Sequence, residues 1–270
     1  MSRRFSHWAR ARSTSTGVTE QVDLPEGAYG DDPIESVSTS GDGSLVVVST
    51  GDRVLTWTGS TGFEELTDPA RLEDGSVLGY ASLGAPVSDS GRYVTVATWV
   101  AVDFDGEPGA CVRPEIHDLQ GGPTVRGHCS DLQPVATGGR EYHDPHVLAT
   151  SEDHTVAYGW DGSGAHVWSA ADGFENVGGS ISAYAWAASP DANAVGYSVH
   201  TGTLGGGMGA GYLLIREPRR RAQLGEGSFR THVAGIGDDA RYVLINTQDP
   251  ALVGGAAGAS RALFLWDRGA

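Results

Sequence analysis

Two stretches far apart in the chain lie over one another. Leu55-Thr56-Trp57-Thr58-Gly59-Ser60-Thr61-Gly62-Phe63-Glu64-Glu65-Leu66 matches His166-Val167-Trp168-Ser169-Ala170-Ala171-Asp172-Gly173-Phe174-Glu175-Asn176-Val177, with Trp, Gly-Phe-Glu and a final aliphatic in register. A shorter element recurs five times, beginning at Ser40, Ser88, Ser151, Ser189 and Gly237, with first residues 48, 63, 38 and 48 positions apart. Each copy is a Ser/Pro/Asp/Gly turn followed by a β-rich run such as Leu45-Val46-Val47-Val48. Self-similarity at roughly 40–50 residues means an array of like supersecondary units, each unable to bury its apolar faces alone.

The unit reads as four short strands. The turn joins strands a and b as a hairpin, because Ser and Asp side chains hydrogen-bond the local backbone and Gly supplies unusual φ. Strand c carries the aromatic or aliphatic run, as in Val54 to Thr58, Val167-Trp168 or Leu263 to Trp266, and strand d is short, as in Phe63 to Leu66. Forty glycines and twelve prolines in 270 residues, with only 19% charged, suit many short strands and tight turns. Radial stacking of such sheets gives an all-β propeller. The last unit ends on strand c at Trp266-Asp267-Arg268, and Val18 to Leu24 reads as the missing strand d. The expected fold is therefore five four-stranded blades closed by the N-terminal strand, with residues 1–17 a polar tail and 18–270 one domain. Six blades is the alternative, since the 63-residue spacing leaves room for a degenerate unit around Arg126 to His143.

Ala262-Leu263-Phe264-Leu265-Trp266, the Gly164 to Trp168 stretch with Gly178-Gly179-Ser180 and Ala183-Tyr184-Ala185, and Ser189-Pro190-Asp191 through Ser198 resemble the HAF repeat. The Ser-Pro-Asp-Gly turns are also similar to TolB-type propeller repeats. The resemblance covers about residues 34 to 270, and implies a propeller but no uniform activity, so no catalytic residue is carried over. Three turns depart from the pattern, with His154, Ala192 and Ala240 where Gly belongs, which leaves their geometry open.

Charge and composition remove several functions. All 18 basic residues are arginine and the net charge is −16. Without lysine there is no Schiff-base chemistry, no pyridoxal anchor and no phosphate loop ending in Gly-Lys-Ser/Thr. An acidic chain is a poor partner for nucleic acid or anionic lipid. No apolar run is long enough to span a membrane. Arg3-Arg4-Phe5 is similar to the start of a twin-arginine export signal, but no apolar stretch follows; the cytoplasm is the default expectation, with secretion the alternative if a leader has been removed. Cys111 and Cys129 allow one bridge or two thiols.

In a propeller the d-to-a and b-to-c loops share one face. The b-to-c connections are read as long at Ala101 to Pro114, Thr201 to Gly211 and Gln248 to Ser260, so that face is expected to bind. The glycine run Gly205 to Gly211 belongs to one of them, where it can serve as a lid. Residues entering strand a converge there: Glu35 with Asp32, Tyr80, His143-Asp144-Pro145-His146, Tyr184 with Trp186, and Arg230 with His232. Trp99, Trp160 and His200, near the ends of strands b, wall the same mouth, and Arg113 and Arg140 fall near it.

This is the polar and aromatic mix of a small-molecule site. The main expectation is a monomeric propeller that binds a small molecule or a protein there, Arg230, Tyr80, Trp99, Trp160, Trp186 and His200 contacting the ligand. The alternative is an enzyme, a lyase, cyclase or hydrolase, in which His143, Asp144, His146, His232, Tyr184 and Glu35 supply acid–base chemistry, or His143, His146 and His232 hold a divalent metal. Arg216, Arg219, Arg220 and Arg221 are placed on the c-to-d turn of blade four, at the opposite face.

Overall fold

The computed structural model describes residues 8–12, 19–23, 34–50, 53–66, 84–104, 107–128, 146–160, 164–176, 183–200, 209–224, 231–249, 252 and 262–269. Twenty strands and no helix occur among them. β1 (Trp8–Arg12) and β2 (Thr19–Asp23) form a separate antiparallel pair. Blade one holds β3 (Ile34–Thr39), β4 (Leu45–Thr50), β5 (Val54–Thr58) and β6 (Gly62–Glu65); blade two holds β7 (Tyr93–Phe104), β8 (Glu107–Asp118) and β9 (Val125–Arg126). Blade three holds β10 (His146–Thr150), β11 (Thr155–Trp160), β12 (Gly164–Ser169) and β13 (Gly173–Asn176). Blade four holds β14 (Ala183–Ala188), β15 (Ala194–His200), β16 (Gly209–Ile215) and β17 (Arg220–Leu224), and blade five β18 (Thr231–Ile236), β19 (Tyr242–Thr247) and β20 (Ala262–Asp267). Pairing within each blade is antiparallel, and a single parallel contact, Gly164 with Tyr184, joins blades three and four.

The alternation of side chains along strand b builds the core. Leu45 and Val47 of blade one meet Val94 and Val96 of blade two; Tyr93 and Ala97 of blade two meet Val156 and Tyr158 of blade three. Ala157 then meets Val195 and Tyr197, and Ala194 meets Val243 and Ile245. One face of each second strand is thus turned to the next blade and the other to the preceding blade, the period-two rule applied four times over.

The recurring turn is one hydrogen-bonded device. Ser40, Ser88, Ser151 and Ser189 are all buried. Each hydroxyl accepts the backbone N–H of the residue that opens strand b, at 3.1, 3.1, 3.0 and 2.8 Å. Three of these hydroxyls also donate to an aspartate two residues on, Asp42, Asp153 and Asp191. All five turns place one residue in the left-handed region: Gly43 (φ 70°), Gly91 (75°), His154 (63°), Ala192 (54°) and Ala240 (54°). The three departures from glycine therefore keep the turn and carry its strain, about 1–2 kcal/mol each for a residue with a Cβ. An added Cβ at Gly43 meets nothing within 4 Å, whereas at Gly91 it meets Ser40 Cβ at 3.2 Å. Gly43→Ala is expected to cost about 1 kcal/mol from φ alone, and Gly91→Ala more, as read from urea-unfolding midpoints.

Blade two departs from the sequence reading. Ala101 to Pro114 is not a loop but part of a long hairpin, paired without a break from Tyr93 with Asp118 to Phe104 with Glu107. The two residues between the strands are Asp105-Gly106, the dipeptide that favours a two-residue hairpin connection. The first strand of blade two is reduced to a bridge between Val87 and Val94. Pro86 has no N–H for the ladder, although its carbonyl still accepts from Thr95 at 3.1 Å. In blade four, Gly209 to Gly211 belong to β16 rather than to the preceding loop.

The segment read as the closing strand is a strand, β2, but it does not close blade five: its partner among the described residues is β1, which lies in the stretch read as a tail. β20 pairs with β19 and has no second partner among the described residues. The six-blade alternative turns on residues 129–145, outside the described residues.

Candidate functional site

The first strands of the blades meet at one cavity. Ser38 and Thr39, Pro86 and Val87, Leu148 to Thr150, Ala188, and Ile236 line a single cavity of about 420 Å³, so the far ends of all five first strands converge. Its rim is formed by the turns, with Asp89 and Asp238 on it. The turns also bind one another. Gly41 N–H donates to the Asp89 carbonyl at 2.9 Å, and Ser90 donates through its N–H and its hydroxyl to the Glu152 carboxylate, each at 2.9 Å. Burial acts to raise the Glu152 carboxyl, but the Ser90 and Ser88 donors together with the Arg92 charge hold the group below its ordinary value. The Ser44 N–H and the Ser40 hydroxyl likewise hold Asp42 low. These acids are fixed, ionised parts of the turns.

At the opposite, loop-bearing end the best-described chemistry belongs to blade five. His232 is half-buried and pairs across the ladder with Asn246. The Asn246 side-chain oxygen is buried and has no hydrogen-bond partner among the described residues. Beside it, the hydroxyls of Thr231 and Thr247 are 2.8 Å apart, Thr247 Oγ1 accepts the Asp249 N–H at 2.9 Å, and Asp249 itself is buried. The Ser198 hydroxyl of blade four donates to the Thr231 carbonyl at 2.7 Å and ties the cluster to its neighbour. A buried acceptor left open costs roughly 1–3 kcal/mol, so Asn246 marks a place where an outside donor gains. Asn246 and Asp249 carry no motif in the sequence: they stand at and just beyond the end of β19, and their burial arises only in the assembled sheets.

The other expected site residues are placed by their strands alone. Glu35 is the second residue of β3, His146 the first of β10, Tyr184 the second of β14 and Trp186 the fourth, while Trp160 and His200 close β11 and β15. All but Trp186, which is past the middle of its strand, lie at the loop end, as His232 does. Trp99 instead lies within the long β7, whose hairpin carries on for five more residues. Tyr80, His143, Asp144, Arg140 and Arg230 lie outside the described residues, as does Cys129. One expectation about arginines changes, and the blade-four cluster keeps its place at the turn between β16 and β17. Arg113 is engaged in blade two, where its guanidinium lies 2.6 Å from Glu115. On blade four, Arg216 (3.4 Å) and Arg219 both pair with Glu175 of blade three, and Arg221 lies over Tyr212 at 4.1 Å. That turn is largely an inter-blade clamp.

Glu115 also receives Arg126 at 3.3 Å, and His117 Nε2 stands 3.6 Å from its other oxygen. Burial pushes the His117 imidazole below its ordinary value despite the opposing pull of Glu115. The unfolded chain therefore takes up this proton first as the pH falls below about 6.5, and stability declines from there toward the folded-state value. His117→Gln is expected to flatten the loss of stability between about pH 6.5 and 5, measured as urea midpoints at each pH.

The fold is that of a β-propeller. No described protein family and no curated relative matches the sequence. Among solved structures the chain is similar to a putative TolB from Agrobacterium tumefaciens, at 11% identity and TM-score 0.52, covering 95% of this chain and 83% of that one. It is similar to the β-propeller domain of the Trilobed protease from Pyrococcus furiosus, at 11% identity and TM-score 0.52, over 96% and 72% of the two chains. The tricorn protease aligns at 11% identity and TM-score 0.51 over 89% of this chain, which spans 22% of that protein. The likeness to TolB-type propellers is thus one of architecture, and at this identity it carries the fold alone. No helix among the described residues is long and apolar enough to cross a membrane.

Proposed function

We propose that this propeller is a binding module whose ligand is held at the loop end of the channel, with His232, Asn246 and Asp249 of blade five as its polar wall. The observation that carries the reading is the buried Asn246 oxygen, without a hydrogen-bond partner among the described residues, across the ladder from His232. Support comes from the convergence of the five first strands on one cavity, since their opposite ends must then surround the same axis. Glu35, His146 and Tyr184 stand at the starts of three of those strands, with Trp186 two residues further along β14. A ligand suited to this wall offers a donor to Asn246 and an aromatic face to Tyr184 and Trp186; Arg230 adds affinity for an anion.

Ligand-observed NMR with indole, benzoate and phenylphosphate tests this. Binding is expected to weaken tenfold or more in His232→Ala and Asn246→Leu, and to be unchanged in Asp238→Asn at the turn end. Binding of no probe, or binding that follows Asp238 and ignores His232 and Asn246, overturns the reading.

A further inference from the structure

Blade two carries a ribbon that the other blades lack among the described residues. Their second strands, β4, β11, β15 and β19, are six or seven residues long, whereas β7 and β8 have 12 each. The part that matches a blade is Tyr93 to Thr98 with Arg113 to Asp118; six further pairs follow without a break, from Trp99 with Val112 to Phe104 with Glu107. At about 3.3 Å per residue, those pairs carry the hairpin about 20 Å beyond the blade at its loop end. β9 pairs only with Glu115 and Ile116, so the extension has no third strand among the described residues. A two-stranded ribbon standing alone in water is marginal at best.

The two edges of the ribbon differ. Thr95 N–H donates to the Pro86 carbonyl at 3.1 Å and the Tyr93 carbonyl accepts the Ser88 N–H at 2.8 Å. Odd-numbered residues of β7 therefore turn their backbone groups to the inner edge, the side on which Pro86 and Val87 line the cavity. By the alternation of an antiparallel ladder, Trp99, Ala101 and Asp103 present three N–H donors and three carbonyls to that edge, and no strand lies along them among the described residues. On β8 the Pro114 carbonyl accepts the Gly127 N–H at 2.9 Å, so even-numbered residues there face the outer edge. In the ribbon these are Pro108, Ala110 and Val112, and the proline has no N–H to give. The outer edge is blunted, while the inner one is a template for another strand.

Register selects the occupant. A second copy of the ribbon, laid antiparallel on the inner edge and centred on Ala101, sets Ala101 against the partner's Ala101 and Trp99 against the partner's Asp103. All three open positions of each strand are then bonded. Val100 falls opposite the partner's Val102, the β-branched pairing that sheets favour. Asp103, Asp105 and Glu107 put three acids at the tip and no basic residue lies between Trp99 and Val112, yet in this register no two acids stand opposite each other. Because Pro108 blunts the other edge, each ribbon accepts one partner, and the contact closes as a two-fold pair instead of growing into a fibre. Strand addition over so short a stretch buries less than the ~800 Å² per partner of a stable interface, so the pair is a reversible one.

We propose that the ribbon from Trp99 to Val112 is a dimerisation arm. Two copies join by antiparallel addition of β7 to the partner's β7, and the resulting four-stranded sheet holds two propellers with their loop ends facing. The tip of each arm then reaches the loop end of the partner. This goes beyond the ligand reading above and stands without it.

Sedimentation velocity of the full chain, from micromolar to near-millimolar concentration, tests the arm. The wild type is expected to pass reversibly from monomer to dimer. Ala101→Pro removes two donors across the joint and none within the ribbon, and is expected to weaken the dimer about tenfold or more. Ala110→Pro, the same change on the outer edge, is expected to leave it unaltered. In hydrogen exchange the Trp99, Ala101 and Asp103 amides are expected to be protected at high concentration and to lose that protection on dilution, while Val94 and Val96 in the blade stay protected as the folding control. A monomer at every concentration, or a dimer that Ala110→Pro weakens as much as Ala101→Pro does, overturns the proposal. Protection of the three amides that is indifferent to dilution overturns it in favour of a segment of the same chain.

Discussion

Gly196→Ala is expected to cost about 3 kcal/mol or more, a large share of the 5–15 kcal/mol that holds a typical domain together. A Cβ built on Gly196 stands 2.3 Å from Val233 Cβ and 2.6 Å from both of its methyl carbons. Nothing nearby is a flexible end that can swing aside, because Val233 is β-branched and fully buried between blades four and five. Gly211 on the adjacent strand is carved for the same purpose; its added Cβ meets Thr231 Cγ2 at 2.8 Å and the Thr231 carbonyl at 2.9 Å. β18 therefore lies in a groove that two glycines open in the face of blade four. The substitution has to push the blades apart or tilt β18, and either movement opens voids along Ala194, Leu213 and Ile245. Urea unfolding measures the loss. A change below about 1 kcal/mol rejects this close approach. Val233→Ala alone removes the two methyl groups and is expected to cost less than Gly196→Ala.

Ser189→Ala is expected to cost about 2 kcal/mol. The Ser189 hydroxyl accepts the Ala194 N–H at 2.8 Å and donates to Asp191, and the serine is fully buried. Alanine leaves that N–H without an acceptor where water does not reach, and the loss is the desolvation of a stranded donor rather than the modest net value of a hydrogen bond. Blade five supplies the converse. Its turn has Gly237 where the others have serine, and a Cβ there makes only ordinary contacts, 3.5 Å to the Tyr242 carbonyl and 3.7 Å to Tyr242 Cβ. Gly237→Ser should install the missing acceptor for the Tyr242 N–H and raise stability by about 1 kcal/mol. Equal midpoints for wild type and Gly237→Ser count against the serine as the organising atom of the turn.

What was legible in the sequence is what depends on local chemistry. Ser-x-Asp at a strand boundary specifies its own hydrogen bonds in three of the five turns, and Ser88-Asp89-Ser90 and Gly237-Asp238-Asp239 vary it, so all five are legible locally; even His154, Ala192 and Ala240 hold the φ that glycine holds elsewhere. Trp57 and Trp168 on strands c, each paired with a phenylalanine on strand d, were legible for the same reason. Blade two was harder. Asp103 and Gly109 interrupt the apolar alternation that marks a strand, so a loop was expected where pairing continues from Phe104 with Glu107. The site was legible as a set of strand ends but not as a cluster. Asn246 and Asp249 carry no motif, and their interest arises only from burial, a property of the assembled sheets. The turn-end cavity was likewise invisible, because Ser38, Thr39, Pro86 and Thr150 are common turn and strand residues that acquire meaning by meeting one another.

The two glycines of blade four have a mechanical consequence. Where Gly196 and Gly211 let β18 sink into the neighbouring sheet, backbone rests against side chain with no soft layer between, and the Ser198 hydroxyl fastens the joint to the Thr231 carbonyl. Sliding along such a joint requires atoms to ride over one another, whereas seams filled by Leu, Val and Tyr can shear by small rotamer adjustments. Blades four and five are thus expected to travel as one stiff plate. His232 on β18 and Asn246 on β19 are then carried on that plate as one unit.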